Sequence, residues 1–207
     1  EETGLKELAA MFVEHRVTAM PVRISSSLAE LENKPRVQYA LLGLITLLAA
    51  GLRFYKLGEW SFWIDEIYTI GHAQAHFSSL EVILRNIPPN RNWIPISTML
   101  TAGALNILGT SEWSARLVSA TIGVISVPVL YFPIKRIFGP SVGLIAALLL
   151  AVSPWHIYWS QNARFYTSLM LFYSLALFTL FWGLERDRPG YLLASMALLY
   201  LAVSERL

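Results

Sequence analysis

Two adjacent carboxylates, Asp65 and Glu66, lie in the aromatic stretch "GEWSFWIDEIYTIGHAQAH", residues 58–76. Neighbouring like charges in apolar surroundings repel each other and lose hydration, so one of them needs a cation, a metal or a proton. An oriented, partly shielded carboxylate is also what a general base needs to take a proton from an attacking hydroxyl. The pair is therefore a candidate catalytic site, and an interfacial loop whose acids simply face water is the alternative.

Two histidines follow the carboxylates at helical spacing. His72 and His76 are four residues apart and Asp65 lies seven residues before His72, so one helix face could carry all three. Carboxylate and imidazole groups are ligands of divalent metals. Asp65, Glu66, His72 and His76 are therefore a candidate metal site with a divalent ion as cofactor, and histidines packed beside aromatics are the alternative.

A second polar stretch, "HIYWSQNARFY" at residues 156–166, offers Arg164 and Tyr166 with Gln161 nearby. The guanidinium fork of Arg164 matches phosphate oxygens bidentately, which suits a lipid phosphate at a membrane surface. Arg91 is a further cation expected near the same surface. The alternative is an arginine that reaches the interface from within an aromatic belt.

The elements that must position these residues are apolar helices. The chain of 207 residues is 55% hydrophobic and only 14% charged, which predicts an all-α, polytopic membrane protein. About five spans are expected, at residues 37–52, 117–134, 142–158, 167–184 and 191–203. Arg53, after the first run, is expected to extend its guanidinium to the interface. The net charge of +2 without a basic stripe argues against nucleic-acid binding, and the absence of cysteine excludes disulfides and thiolate sites.

Residues 1–35 read as an amphipathic or soluble segment and linker, and residues 36–207 as the transmembrane domain. The ambiguous apolar segment 92–109 is predicted to be a juxtamembrane or re-entrant helix. With that choice the positive-inside rule places every short basic connector, and the N-terminus, in the cytoplasm. The stretches 58–76 and 156–166 would then meet on the extracytoplasmic face.

Three motifs in order carry a resemblance to a known family: "SFWIDEIYT", "LGTSEWSARLVSATIGVISVPVLYFPIKRIFG" and "LIAALLLAVSPWHIYWSQNARFY". Over residues 38–185 the chain resembles the membrane glycosyltransferases of the GT-C class. The resemblance is specifically to the dolichyl-phosphate-mannose protein mannosyltransferase and aminoarabinose transferase superfamily, glycosyltransferase family 39-like. It implies a GT-C-like transmembrane domain at residues 36–207, with juxtamembrane helices in its first extracytoplasmic loop.

The resemblance also implies an activity. A polyprenyl-phosphate-linked sugar, within the membrane lipids, would be the donor, and a protein or lipid hydroxyl the acceptor. Asp65 would be the catalytic base, Glu66 would support it or help to hold a metal, and Arg164 and Tyr166 would lie near the lipid phosphate. The alternative is a non-catalytic, degenerate relative acting with other membrane subunits. It is motivated by "NWIPIS", which replaces a His-Pro-Pro-Leu-Tyr-like or Glu-Lys-Pro-like element of the family.

Overall fold

A computed structural model describes residues 34–85 and 95–205. The predicted N-terminal segment up to residue 33 and the predicted phosphate ligand Arg91 lie outside these residues. The described part of the chain is helical throughout, with no strand. Its helices are α1 Pro35–Phe54, α2 Ile64–His76, α3 Leu80–Arg85, α4 Ile96–Leu108, α5 Glu112–Phe138, α6 Pro140–Val152, α7 Pro154–Ser160, α8 Tyr166–Arg186 and α9 Pro189–Ser204.

Helix α5 is the centre of the bundle and packs against α1, α4, α6, α7 and α8. Its start is fixed by a capping box, in which the Ser111 hydroxyl accepts from the Ser114 amide at 3.1 Å and the Ser114 hydroxyl accepts from the Ser111 amide at 3.0 Å. It ends at Gly139, whose φ of 91° lies in the left-handed region that favours glycine. Helix α5 therefore has defined ends, and five other helices pack against it.

The apolar core between α1, α5 and α6 is built from small and branched side chains. Ala49, Val127 and Ala151 are fully buried there, beside Tyr131. Small residues let helix backbones approach closely, and such close packing drives the association of helices in a membrane. The outer helix faces instead expose large apolar side chains to at least 63%, among them Leu44, Leu47, Leu149, Leu193 and Met196. A bundle with this arrangement suits a lipid environment.

Within residues 34–85 and 95–205, three helices, α1, α5 and α8, are long and apolar enough to span a membrane. The α6–α7 pair becomes a fourth candidate if it is counted as one span, bent by 58° at a short break. Helix α9 is apolar but has only 16 residues. The all-helical, polytopic architecture is confirmed, while the expected five spans become three long helices, one bent pair and one shorter helix.

The basic connectors gather at one end of the bundle, called here the basic end. Lys135 Nζ donates to Gln38 Oε1 at 2.8 Å, so the end of α5 lies beside the start of α1. The Arg136 guanidinium lies 5.2 Å from the ring centroid of Trp182, which places the end of α8 there too. These contacts place the connectors at one end of the bundle, and the assignment of that end to the cytoplasm stays a prediction.

Helix α4 lies at the opposite end, called here the site end. Its 13 residues make a helix of about 20 Å, shorter than the roughly 30 Å hydrocarbon core of a bilayer. Ala102 and Leu105 of α4 pack in one buried cluster with Phe77, Ala115 and Ala163. The described part of segment 92–109 is therefore a helix held on the site end by protein contacts and shorter than the helices long enough to span a membrane. Its assignment as a juxtamembrane or re-entrant helix stays a prediction.

One expectation about α1 is wrong. Arg53 does not extend to the interface, because its side chain is 0% exposed. The buried guanidinium has acceptors inside the bundle: it donates to main-chain carbonyls of α1 and α6 and pairs with His156. Hydrogen bonding to these groups replaces the hydration that a snorkelling arginine would seek.

Candidate functional site

The acidic pair forms the first turn of α2. Trp63, in extended conformation, precedes the helix, and Asp65 and Glu66 follow as its second and third residues. Carboxylates are favoured at this position because the free amide groups of a helix N-terminus carry partial positive charge. Ile70 and Ala73 on the inner face of α2 pack into the cluster shared with α4 and α5, which anchors the helix. The acids are thus held on a rigid element.

The two neighbouring carboxylates lie in opposite environments. Glu66 is 0% exposed, whereas the Asp65 side chain is 40% exposed. Glu66 Oε1 accepts from Arg116 Nε at 2.8 Å and from the Ala163 amide at 2.8 Å. Glu66 Oε2 accepts from Arg116 Nη2 at 2.7 Å and from the Trp63 amide at 3.3 Å. Four donors therefore surround the buried carboxylate, and none of its lone pairs faces the solvent.

Arg116 of α5 is the partner that holds Glu66. Its side chain is 4% exposed and grips the carboxylate with two parallel hydrogen bonds. Its remaining donors reach the loop before α2: Nη1 donates to the carbonyls of Leu57 at 3.1 Å and Trp60 at 2.8 Å, and Nη2 reaches the carbonyl of Ser61 at 3.3 Å. One guanidinium thus connects α5, α2 and the preceding loop. Sequence reasoning did not single out Arg116, which lies within the second family-like motif.

The loop between α7 and α8, residues 161–165, is held against the acidic pair. The Ala163 amide donates to Glu66, and the Ser119 hydroxyl of α5 donates to the Arg164 carbonyl at 3.0 Å. The Asn162 amide group donates to the Tyr158 carbonyl at 2.6 Å. These main-chain and side-chain bonds fix the loop on both sides of Arg164 and leave its guanidinium pointing to α2.

Arg164 and Asp65 meet, as the sequence predicted for their two stretches. Arg164 Nη1 donates to the Asp65 carbonyl and to Thr69 Oγ1, both at 3.0 Å. Arg164 Nη2 lies 3.9 Å from Asp65 Oδ2, which is an ion pair without a direct hydrogen bond. The Asp65 carboxylate is therefore beside a fixed cation and yet remains partly open to solvent.

An aromatic cluster centred on Trp159 adjoins this pair. The Tyr166 ring centroid lies 4.0 Å from that of Trp159 and 5.9 Å from Arg164 Cζ, and the Trp63 centroid lies 6.5 Å from Trp159. An apolar groove of about 640 Å³ runs from here between α8 and α9. It is lined by Trp155, Tyr166, Leu169, Met170, Tyr173, Leu199, Ala202 and Val203. Tyr166 thus lies between the charged pair and the apolar groove.

The remaining predicted site residues lie elsewhere. Gln161 directs its amide group to carbonyls at the end of α1, donating to Leu52 at 3.1 Å and Tyr55 at 2.9 Å, rather than to an open phosphate site. His72 and His76 are exposed on α2 with ring centroids 4.3 Å apart. The described residues contain no group of three or more acidic or imidazole side chains placed to hold a metal ion. Glu66, turned inward to Arg116, does not join the histidines.

A third carboxylate at the site end escaped the sequence reasoning. Glu205 follows the end of α9, is 4% exposed, and accepts hydrogen bonds from the amide and hydroxyl of Ser97 in the first turn of α4. Burial raises the pKa of Glu205 to about 7, although the hydrogen bonds from Ser97 and Ser168 oppose the shift. Glu205 thus ties α9 to α4. Its position at the end of an apolar run gave no periodic signal of burial.

Replacing Arg116 with lysine tests the role assigned to its fork. Lysine keeps the charge but cannot serve a carboxylate and three carbonyls together, and each buried carbonyl left without a donor costs about 1–3 kcal/mol. We expect R116K to lower the free energy of unfolding in lipid–detergent micelles by at least about 2 kcal/mol. The matched control R186K changes an exposed arginine bonded to the Tyr191 hydroxyl and should be near neutral. Equal stability of R116K and R186K would contradict the assignment.

Comparison with known proteins agrees with the sequence motifs. The family model described as dolichyl-phosphate-mannose-protein mannosyltransferase matches residues 89–206, more than half of the chain. The matched segment contains Arg116 and Arg164 and begins after Asp65 and Glu66. No curated protein and no solved structure gives a match. The family match confirms the resemblance to GT-C glycosyltransferases: the chain belongs to the dolichyl-phosphate-mannose-protein mannosyltransferase family.

Proposed function

We propose that this chain transfers a sugar from a polyprenyl-phosphate donor to a hydroxyl group of a protein or lipid acceptor. The proposal rests on family membership together with one feature of the site. That feature is a partly exposed carboxylate, Asp65, 3.9 Å from the guanidinium of Arg164, on a scaffold fixed by the buried Glu66–Arg116 pair. A base and an anion-binding cation side by side are what the transfer requires.

The reaction assigns one role to each of the two groups. Asp65 accepts the proton of the acceptor hydroxyl while the hydroxyl oxygen forms a bond to the anomeric carbon of the sugar. The bond from that carbon to the phosphate oxygen breaks, and its electron pair stays on the phosphate. Arg164 stabilises the negative charge that develops there. Attack from the side opposite the leaving phosphate inverts the anomeric configuration.

The geometry of Arg164 supports its role at the phosphate. Nη1 is engaged by Asp65 and Thr69 in the first two turns of α2, whereas Nη2 has no direct hydrogen bond to Asp65 at 3.9 Å. This edge of the guanidinium can therefore donate to a phosphate oxygen without breaking the bonds that orient the side chain. Preorganised donors of this kind stabilise a developing charge without reorganising during the reaction.

The apolar groove supports a lipid-linked donor. Tyr166 lies at its rim beside Arg164, and the groove continues along the first two turns of α8 as far as Tyr173. A phosphate at Arg164 would thus have an apolar path for the first prenyl units. The surrounding tryptophans and tyrosines are the residues that favour a membrane interface.

Charge supports a direction for the bundle. Basic connectors at the basic end favour the cytoplasm under the positive-inside rule. The site end, with Asp65 and Arg164, would then face the extracytoplasmic side, and the N-terminus the cytoplasm. The donor sugar would accordingly be used on the face that receives secreted or surface-bound acceptors.

The first test replaces the proposed base. D65N keeps the size of the side chain and removes its ability to accept a proton, so we expect kcat for transfer from a polyprenyl-phosphate sugar to fall by about 10²–10⁴-fold. The assay uses the protein in membranes or nanodiscs with a radiolabelled donor. The matched control E59Q makes the same chemical change at an exposed carboxylate paired with Lys56 at 2.8 Å, and should keep full activity. Full activity in D65N would overturn the assignment of the base.

The second test concerns the cation. R164K keeps the charge and loses the fork that reaches both α2 and the phosphate, so we expect kcat/KM for the donor to fall by about tenfold or more. The control R136K alters an arginine stacked on Trp182 at the basic end. The assignment fails if R164K and R136K give the same KM and kcat as the unchanged chain.

A further inference from the structure

The break between α6 and α7 exposes main-chain groups inside the bundle. Pro154 begins α7 and has no amide N–H, so the Leu150 carbonyl lacks the donor four residues ahead that an unbroken helix would supply and receives only a long bond from the Ser153 amide, at 3.4 Å. The two helices diverge by 58° at this point. Ala151 is fully buried beside the break. Buried carbonyls without donors are costly, and most costly where lipid replaces water.

Arg53 supplies the missing donors from α1. Nη1 donates to the Ala151 carbonyl at 2.9 Å, and Nη2 donates to the Leu150 carbonyl at 3.0 Å. Nη2 also lies 2.7 Å from His156 Nδ1 in the first turn of α7. Because arginine can only donate, His156 must accept at Nδ1 and carry its proton on Nε2. The end of α6 and the start of α7 are therefore held by one side chain of α1.

The end of α1 is held in return by the loop that follows α7. The side-chain amide of Gln161 donates to the carbonyls of Leu52 at 3.1 Å and Tyr55 at 2.9 Å, with Arg53 at 3.4 Å. Each helix end thus takes its missing donors from a side chain attached to the other. We call this reciprocal arrangement of Arg53, His156 and Gln161 the helix-end clamp.

Helix α5 closes the clamp from behind. A Cβ added at Gly123 would lie 2.2 Å from Ser160 Oγ and 3.1 Å from Arg53 Nε, so this position has no room for alanine. Ser160 itself donates to the His156 carbonyl at 2.6 Å and is fully buried. The backbone of α5 at Gly123 is therefore in close contact with Ser160, the residue that precedes the loop 161–165.

We propose that the helix-end clamp positions Arg164, the cation assigned to the phosphate. Arg53, His156 and Gln161 hold the loop 161–165 at its start, and the bond from the Ala163 amide to Glu66 holds the middle of the loop. Arg164 is three residues from Gln161, so a shift of the clamp moves the guanidinium relative to Asp65. Arg53 and Gln161 act through Arg164 and are positioning residues. The consequence for transfer rests on the proposed function, whereas the consequence for loop order does not.

Two variants test the clamp by hydrogen exchange and by kinetics on the same preparations. R53K keeps the charge without the fork, and G123A drives a methyl group into the clamp. We expect amide exchange in residues 161–165 to rise by about tenfold or more in both variants. We expect kcat for transfer to fall by about 10²-fold. Exchange in residues 183–195 at the basic end should stay unchanged.

Two glycine controls separate positioning from general loosening. Gly51 lies two residues before Arg53, and an added Cβ there meets nothing within 4 Å, so G51A should change neither readout. An added Cβ at Gly183 would lie 2.6 Å from the Leu192 side chain at the basic end. G183A should therefore raise exchange in residues 183–195 and leave residues 161–165 and kcat as they were.

Each combination of the two readouts, amide exchange and kcat, has a different meaning. If exchange in residues 161–165 is unchanged in R53K and G123A, the clamp does not hold the loop and the inference is overturned. If exchange rises but transfer proceeds at the normal rate, the loop is held without positioning Arg164, which also overturns it. If exchange rises and the unchanged chain transfers no sugar, the proposed function fails while the structural clamp stands. Should R53K not fold, the comparison of G123A with G183A decides.

Discussion

The buried ion pair between Glu66 and Arg116 is the interaction on which the site depends. It lies where α2, α5, the loop before α2 and the loop 161–165 converge, and each of these donates to or accepts from it. A buried charge pair is costly to desolvate and is tolerated when its remaining lone pairs and protons are bonded. Here the carboxylate has four donors and the guanidinium bonds three carbonyls besides. The geometry of the exposed groups follows from this closed network.

The same network explains how two adjacent carboxylates coexist. Glu66 points inward and is balanced by Arg116, while Asp65 points outward beside Arg164. Neighbouring residues in one helical turn thus divide into a structural acid and an available one. Buried hydrogen bonds also hold polar groups elsewhere at the site end, where Arg53 and Gln161 donate to carbonyls at helix ends. The positions of the charged groups are set by buried hydrogen bonds, and solvent is left to the groups proposed to react.

Apolar composition and the charge of the connectors predicted the helical class, the gathering of basic residues at one end and the meeting of the two polar stretches. Those features depend on the hydropathy and charge of long segments, which can be read directly from the sequence. The environments of individual polar residues were harder to predict from the sequence. Arg53 was expected at the interface and Gln161 at a phosphate, but both donate to carbonyls at helix ends. Their acceptors lie about a hundred residues away along the chain, at distances that no local pattern encodes. Arg116 was missed for the same reason.

The central claim is that Glu66 and Arg116 act as one unit, and a double-mutant cycle measures it directly. The free energy of unfolding in lipid–detergent micelles would be compared for E66Q, R116M, the double variant and the unchanged chain. Removing one partner of a buried pair costs about 3–5 kcal/mol. Because R116M also leaves three carbonyls without a donor, we predict that the double variant loses no more stability than R116M alone, which corresponds to a coupling of at least about 3 kcal/mol. Additive losses from the two single changes would show that the residues act independently and would contradict the account.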